Sequence, residues 1–184
     1  MKILAFETSC DETALALIDA SGGLKLPKFK TLENLVSSQI NVHRPFGGVV
    51  PNLAKREHLK NLPLLLNKSE SLKHIKDVDL IAVTVGPGLE PALWTGVNFA
   101  KELAKKYKKL LIGGNHLEGH LYSFLLSYKK PTKFPAIGLI VSGGHTILLK
   151  MESLTKWKKI GETRDDAVGE AFDPDRIRLF ETLV

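Results

Sequence analysis

Residues 77–115 read DVDLIAVTVGPGLEPALWTGVNFAKELAKKYKKLLIGGN. The run from Leu80 to Val85 is nearly all apolar, the pattern of a strand buried on both faces. It ends in Gly-Pro-Gly, and residues 91–107 (PALWTGVNFAKELAKKY) then read as a helix. KLLIGGN (109–115) is a second short strand. Strand, helix and strand in that order argue an α/β unit with a partly parallel sheet.

Upstream, residues 2–9 (KILAFETS) read as a buried strand. CDET is a polar turn and ALALID a return strand, which together make a hairpin. DASGGLKLPKF is a turn and loop, while TLENLVSSQINVHRPFGG mixes strand and loop signals and has no assignment. Pro51 suits the first turn of a helix, where its missing N–H costs nothing. That helix is NLAKREHLKNLPLLL, with Leu53, Leu59, Leu62 and Leu66 near one face, and Pro63 is expected to kink or end it. Downstream, FPAIGLIVSGGHTILLK (134–150) is a second hairpin and GETRDDAVGEAFD (161–173) a short helix with an acidic face. Residues 3–18 and 137–150 thus share one plan of apolar strand, serine-containing turn and apolar strand. Two such hairpins could face one another across a cleft, although hairpins are common enough to arise independently.

The length of 184 residues fits one domain, or one and a half lobes of a larger one. Hydrophobic residues at 43% and charged ones at 25% describe a soluble globular protein. No apolar run reaches the length of about 18 residues that a membrane span needs. The N-terminus turns acidic too early for a signal peptide. Cys10 is the only cysteine, so no internal disulfide forms, and a reducing, cytoplasmic setting is expected. Cys10 itself reads as a small packed residue in preference to a nucleophile. The net charge of +6 gathers in 101–109 (KELAKKYKK) and 129–133 (KKPTK), which fits either nucleic-acid contact or a lysine-rich solvated surface. Tyr107 is the one aromatic residue within these runs, so no stacking platform for single strands is visible.

The residues with chemistry begin with GGNHLEGHLYSFL (113–125). Asn115 can cap a helix, and Glu118 stands three residues later as in a capping box. His116 and His120 then share one face a turn apart, close enough for one metal ion. Surface or core histidines would give the same letters. A zinc protease of the His-Glu-x-x-His type needs glutamate directly after the first histidine, where this chain has Leu117. VSGGHT (141–146) offers backbone N–H groups to an anion, or is an ordinary turn. GPGLEPALWTG lacks the P-loop and dinucleotide signatures and reads as a structural elbow. In ETSCDET (7–13), Glu7, Asp11 and Glu12 with Thr8, Ser9 and Thr13 could position magnesium and phosphate, or simply form a turn. Asp166, Glu170 and Asp173 fall on one helical face, either solvated or holding nucleotide hydroxyls.

In order and spacing, ETSCDETA, GGVVPNLAKREHL, VTVGPGLEPALWTG, NHLEGHL, LIVSGGHT and DDAVGEAFD resemble the TsaD/Gcp/Kae family, the tRNA N6-adenosine threonylcarbamoyltransferases, formerly called O-sialoglycoprotein endopeptidases or glycoproteases. The resemblance runs from residue 1 to about 173 and implies an α/β fold of the ASKHA class (actin-like ATPase, Hsp70, sugar kinase). In that class two RNase H-like lobes surround a nucleotide cleft; residues 1–115 would be the first lobe and 116–184 the start of an incomplete second. It implies transfer of a threonylcarbamoyl group from threonylcarbamoyl-AMP to N6 of the adenosine beside the anticodon in tRNAs reading ANN codons. It also implies iron or zinc on His116 and His120, magnesium accompanying the nucleotide, and substrate contacts at Ile140, Val141, Ser142, Gly143, Gly144 and Asp173. Asp11 would act on the phosphate or magnesium side. The implied partners are tRNA, a smaller TsaB-like paralogue and a TsaE-like ATPase subunit or KEOPS-type proteins, with no membrane. The family's third ligand, an aspartate from its C-terminal part, has no counterpart here, and after AFD the text becomes PDRIRLFETLV. A chain of this extent is expected to have little activity alone. A non-catalytic scaffold and the older metalloendopeptidase are the alternatives.

Overall fold

A computed structural model describes residues 1–24, 26–69, 75–126, 132–141 and 146–163. The chain divides into two compact units, Met1–Ser127 and Tyr128–Val184.

The first unit is built on a five-stranded sheet. Its strands are β1 (Lys2–Glu7), β2 (Glu12–Ser21), β3 (Lys28–Ser38), β4 (Leu80–Gly86) and β5 (Leu110–Asn115), in the order β3-β2-β1-β4-β5. β1 and β2 form the expected antiparallel hairpin, with Phe6 opposite Leu15 and Leu4 opposite Leu17. β1 runs parallel to β4 and β4 parallel to β5, so the partly parallel sheet is present. β3 fills the first part of the stretch that sequence left unassigned, 31–38, and takes in Lys28 and Phe29 of the expected loop, whose start at 19–21 belongs to β2; it pairs along nearly all of β2, with a register shift between Leu17 and Ile18. Its letters alternate weakly because it is the edge strand, with most of its side chains exposed or half-buried.

The helices are α1 (Ile40–His43), α2 (Pro51–Lys68), α3 (Glu90–Tyr107) and α4 (His116–Tyr122). One core joins Leu4, Phe6, Leu15 and Leu17 of the hairpin, Ile81 and Val83 of β4, Leu62 and Leu65 of α2, and Ala100, Leu103 and Ala104 of α3. Phe6 meets Phe99 edge to face at 5.4 Å between ring centroids.

Two expectations for α2 are corrected. The helix continues through Pro63 to Lys68. An interior proline costs about 3 kcal/mol. Burying Leu62 and Leu65 on either side of it returns roughly 1.5–3 kcal/mol each, enough to carry the helix past the break. Of the leucine face expected, Leu62 is buried and Leu53 and Leu66 are half-buried, but Leu59 is exposed; the buried stripe is Ala54, His58, Asn61, Leu62 and Leu65.

In the second unit β6 (Ala136–Val141), β7 (Thr146–Met151) and β8 (Trp157–Glu162) form an antiparallel sheet in the order β6-β7-β8. Ile140 lies opposite Ile147 and Gly138 opposite Leu149, as the second hairpin predicts. Ile140, Leu149 and Met151 are buried, while Ile137, Leu139 and Val141 alternate onto an exposed face. The acidic helix expected over 161–173 does not begin at 161: Gly161 and Glu162 end β8, and from residue 164 onward that stretch lies outside the described residues. α4 and the turn after it group with the first unit. Among the described residues no helix is long and apolar enough to cross a membrane.

Candidate functional site

The ends of three parallel strands converge, the place where open α/β sheets hold ligands. Glu7 closes β1, Thr84 lies near the end of β4, and His116 follows β5 directly. Asn115 caps α4, its side-chain oxygen accepting from the N–H groups of Leu117 at 2.9 Å and Glu118 at 3.1 Å. The capping half expected of Asn115 is therefore formed; Glu118 makes no reciprocal bond among the described residues.

α4 turns His116 and His120 toward each other. Their rings meet edge to face at 4.5 Å, and the two Nε2 atoms are 3.1 Å apart. His116 Nδ1 sits 3.2 Å from a Glu7 carboxylate oxygen and 3.1 Å from Ser9 Oγ. A carboxylate accepts and cannot donate, so Nδ1 carries the proton and Nε2 of His116 presents its lone pair. Two nitrogens bound to one metal at ~2.05 Å stand about 2.9 Å apart at a right angle and about 3.3 Å apart at a tetrahedral angle. The observed 3.1 Å falls between these values, so both histidines fit one ion with little movement. The carboxylate behind His116 is the usual support of a metal-binding histidine. Among the described residues no group of three or more histidine, cysteine, aspartate or glutamate side chains is arranged to hold a metal ion.

Burial works to raise the Glu7 pKa, but bonds from the Ser9 side chain, Thr84, the Ser9 backbone and His116 outweigh it and hold the carboxyl below its ordinary value. The Ser9 N–H and Thr84 hydroxyl donors each lie 2.5 Å from it. Glu7, Ser9 and His116 are not a serine-hydrolase triad. A triad uses the two ring nitrogens on opposite partners; here Ser9 and Glu7 share Nδ1, and Ser9 is buried.

The Thr8–Asp11 turn is held tightly from the α3 side. Thr8 Oγ1 donates to the Ala92 carbonyl at 3.0 Å, and Leu89 N–H donates to the Ser9 carbonyl at 2.7 Å. A Cβ on Gly88 would lie 2.6 Å from the Ser9 carbonyl oxygen, and one on Gly96 would lie 2.3 Å from Thr8 Oγ1. Gly88 and Gly96 of GPGLEPALWTG thus serve close packing of the elbow against this turn. Cys10 is exposed, contrary to the packed role expected; desolvation first, then the neighbouring Asp11 carboxylate, push its thiol up to about 11, far from a thiolate nucleophile.

Of the other predicted site residues, Asp11 lies in this turn, half-buried, its carbonyl accepting Gln39 N–H at 2.9 Å. Ile140 is buried and Val141 exposed at the end of β6 in the second unit. Ser142, Gly143, Gly144 and Asp173 lie outside the described residues. The basic run 101–109 leads into the start of β5, the far end of that strand from His116, about 20 Å away at 3.3 Å per residue.

Sequence reasoning missed His58, Gln39 and His43, all buried and joined by hydrogen bonds beside the turn. A histidine in the buried stripe of α2 was the available signal.

A family model described as "TsaD: tRNA N6-adenosine threonylcarbamoyltransferase" matches residues 30–179. Proteins named tRNA N6-adenosine threonylcarbamoyltransferase from Fervidobacterium nodosum and Dictyoglomus turgidum are 51% and 48% identical over 175 residues, covering 94% of this chain. The chain spans about half of their length, 49% and 50%. In fold it is similar to YeaZ from Pseudomonas aeruginosa, at TM-score 0.50 and 18% identity, over 88% of this chain and 66% of that one. It is likewise similar to the Aquifex aeolicus Ppx/GppA phosphatase, at TM-score 0.50 and 11% identity, over the whole of this chain and 61% of that one. These neighbours agree with the expected ASKHA and RNase H-like architecture. The six ordered motifs, the family match and the relatives concur: this chain belongs to the TsaD family, the tRNA N6-adenosine threonylcarbamoyltransferases.

Proposed function

We propose that this chain contributes the metal-binding half of a threonylcarbamoyl-transfer site that modifies tRNA. The observation that carries the reading is the His116–His120 pair, with Nε2 atoms 3.1 Å apart and Nδ1 of His116 set against Glu7. In the reaction implied by the family, the N6 amine of the adenosine beside the anticodon bonds to the carbamoyl carbon of threonylcarbamoyl-AMP. The bond from that carbon to the AMP phosphate oxygen breaks, and N6 loses a proton. Iron or zinc held by His116 and His120 would supply Lewis-acid polarisation of the threonylcarbamoyl group. The chain's own part is to fix the two imidazoles: Glu7 and Ser9 set the His116 tautomer, and the capped α4 sets the spacing. Asp11, in the same turn, is assigned to the phosphate or magnesium side of the nucleotide. Ile140 to Gly144 and Asp173 are assigned to the substrate, and tRNA is the acceptor.

Zinc titration of the parent chain and of His116→Ala and His120→Ala tests the site. The parent should bind in competition with a chromophoric chelator, and each variant should lose at least about tenfold in affinity. Equal binding by all three would refute the assignment. Given tRNA and threonylcarbamoyl-AMP with metal, the 184-residue chain alone is expected to give only trace product, because among the described residues no third ligand joins the two histidines.

A groove between α2 and α3 supports a second reading, a partner-binding scaffold. Its volume is about 600 Å³, and Leu59, Pro91, Trp94 and Phe99 line it, with Lys55 and Glu102 among its polar lining residues. Leu59 and Trp94 are both more than half exposed, at 58% and 52%. Apolar area of this kind, bordered by charge, suits a protein partner. The TsaB-like smaller paralogue is the partner assigned to it. Capture of that paralogue by a chain that retains no metal would favour the scaffold over the transfer site.

A further inference from the structure

The buried histidines near the turn form a chain of hydrogen bonds whose direction can be read from one end. Val50 N–H donates to His43 Nδ1 at 3.3 Å. A backbone amide can only donate, so Nδ1 is the bare nitrogen and Nε2–H of His43 donates to Gln39 Oε1 at 3.0 Å. The Gln39 amide nitrogen therefore faces His58 Nδ1, at 3.2 Å, as a donor. Thr13 Oγ1 stands 2.8 Å from the same atom and donates to it. His58 Nε2–H is left to donate to the Cys10 carbonyl at 3.0 Å. His58, Gln39 and His43 have relative exposures of 0%, 1% and 3%, so water cannot replace these partners. The relay ends one residue from Ser9, the side chain that touches His116 Nδ1.

We infer that His58, oriented by Gln39 and His43, is a positioning residue for the His116–His120 site, acting through the Cys10 carbonyl on the Thr8–Asp11 turn. This rests on the metal-site reading above for its consequence, though not for its geometry. The α3 elbow holds one side of the turn through Thr8 and the Ser9 carbonyl. The relay holds the other side through Cys10, and Gln39 N–H adds the Asp11 carbonyl. Releasing Cys10 frees the peptide that carries Ser9, and with it the contact that shares the His116 Nδ1 proton with Glu7. A buried histidine filling space alone would not require its outer nitrogen to donate.

Two substitutions separate these roles. His58→Gln places an amide N–H where Nε2–H stood and keeps the Cys10 bond. His58→Asn keeps only the inner polar atom, toward Thr13 and Gln39. Cys10 is the only cysteine and lies on the turn itself, so its rate with an aromatic disulfide reagent reports the turn directly. In His58→Asn that rate should change by about fivefold or more at fixed pH, the shift one lost hydrogen bond makes between the held and the released turn. Long-range proton–nitrogen NMR should show His116 losing its Nδ1–H preference, and zinc affinity should fall by a similar factor. His58→Gln loses the Nδ1 acceptor but still holds the Cys10 carbonyl directly, so it should stay nearer the parent than His58→Asn in all three measurements, by about threefold or more. Equal behaviour of the two variants in the cysteine and tautomer assays overturns the inference, whatever zinc does. Separation of the variants in those assays without zinc binding by the parent upholds the inference and removes the metal reading. Should His58→Asn not fold, Gln39→Met leaves His58 in place without the amide that orients it, and the same three results are expected of it.

Discussion

Gly96→Ala is a small change whose effect can be worked from distances. A methyl at this position would stand 2.3 Å from Thr8 Oγ1 and 3.3 Å from both Thr8 Cβ and Cγ2. Ordinary contact for such atoms begins near 3.4 Å, so α3 or Thr8 must give by about an ångström. Neither is free to do so: Thr8 is fully buried and its hydroxyl holds the Ala92 carbonyl of the same helix at 3.0 Å. Replacing glycine by alanine inside a helix should by itself stabilise by about 1 kcal/mol. Overpacking of a tight contact costs about 1–3 kcal/mol, and a stretched hydrogen bond about 1 kcal/mol more. The expected balance is a destabilisation of ~1–3 kcal/mol, which for a chain of this size lowers Tm by roughly 2–12 °C. Thermal or urea unfolding of the parent, Gly96→Ala, Thr8→Ala and the double variant completes a cycle. Thr8→Ala removes the obstructing hydroxyl and the methyl beside it, so the double variant should be more stable than the sum of the singles predicts, by at least ~1 kcal/mol. Additive effects, or a Gly96→Ala chain as stable as the parent, would refute the close-packing account of the elbow.

Glu7→Gln keeps the shape but removes the charge behind His116, and zinc affinity should drop about 10–100-fold in the chelator assay; an unchanged affinity would separate Glu7 from the site. His58 gives a pH dependence with a definite sign. Burial lowers its pKa below 6.5, outweighing the Cys10 carbonyl and the Glu7 and Asp11 carboxylates, which raise it, while neighbouring His43 lowers it further. The unfolded chain therefore takes the proton first, and the stability from neutral His58 is full above pH 6.5 and lost as pH falls from there through the folded value. Urea midpoints should drop on acidification in this window, and less so in His58→Gln; equal slopes would argue that His58 is not the group responsible. Trp94→Asp puts a charge into the groove between α2 and α3 and should abolish capture of the smaller paralogue with Tm held within a few degrees. Undiminished capture would place the partner elsewhere.

Much of the fold was legible because its signals are local. The Leu80–Val85 run, the Gly-Pro-Gly elbow and the α3 pattern each lie within a few residues, and the parallel pairing of β4 with β5 follows from them. β3 was illegible because its partner, β2, decides it: an edge strand needs no apolar alternation of its own. The α2 face was only partly legible because leucine spacing points to Leu59, whereas the packing selects Ala54, His58 and Asn61 beside Leu62 and Leu65. The histidine pair was legible from its spacing and cap. The support behind it was only partly so: Glu7 had been seen as an oxygen donor for magnesium, and its contact with His116 spans 109 positions that no local pattern connects.

The position of Glu118 shows why local and long-range reading must be joined. In sequence it is the nearest carboxylate to the histidines, and a protease reading would require it one place earlier. In the structure, its backbone N–H is capped by Asn115, and the carboxylate serving His116 comes from the end of β1. A carboxylate on a separate strand cannot drift with the helix, so the His116 tautomer depends on how β1 and its turn sit against β4 and β5. That makes the site sensitive to the three tethers of the turn, namely the α3 elbow, Gln39 and His58. Loss of any one leaves the other two and the hydrophobic core intact. Single-tether variants should therefore lose more in metal affinity than in stability, and pairs of them should be non-additive because they act on one turn. Parallel losses in both quantities across such a series would mean that the tethers serve the core alone.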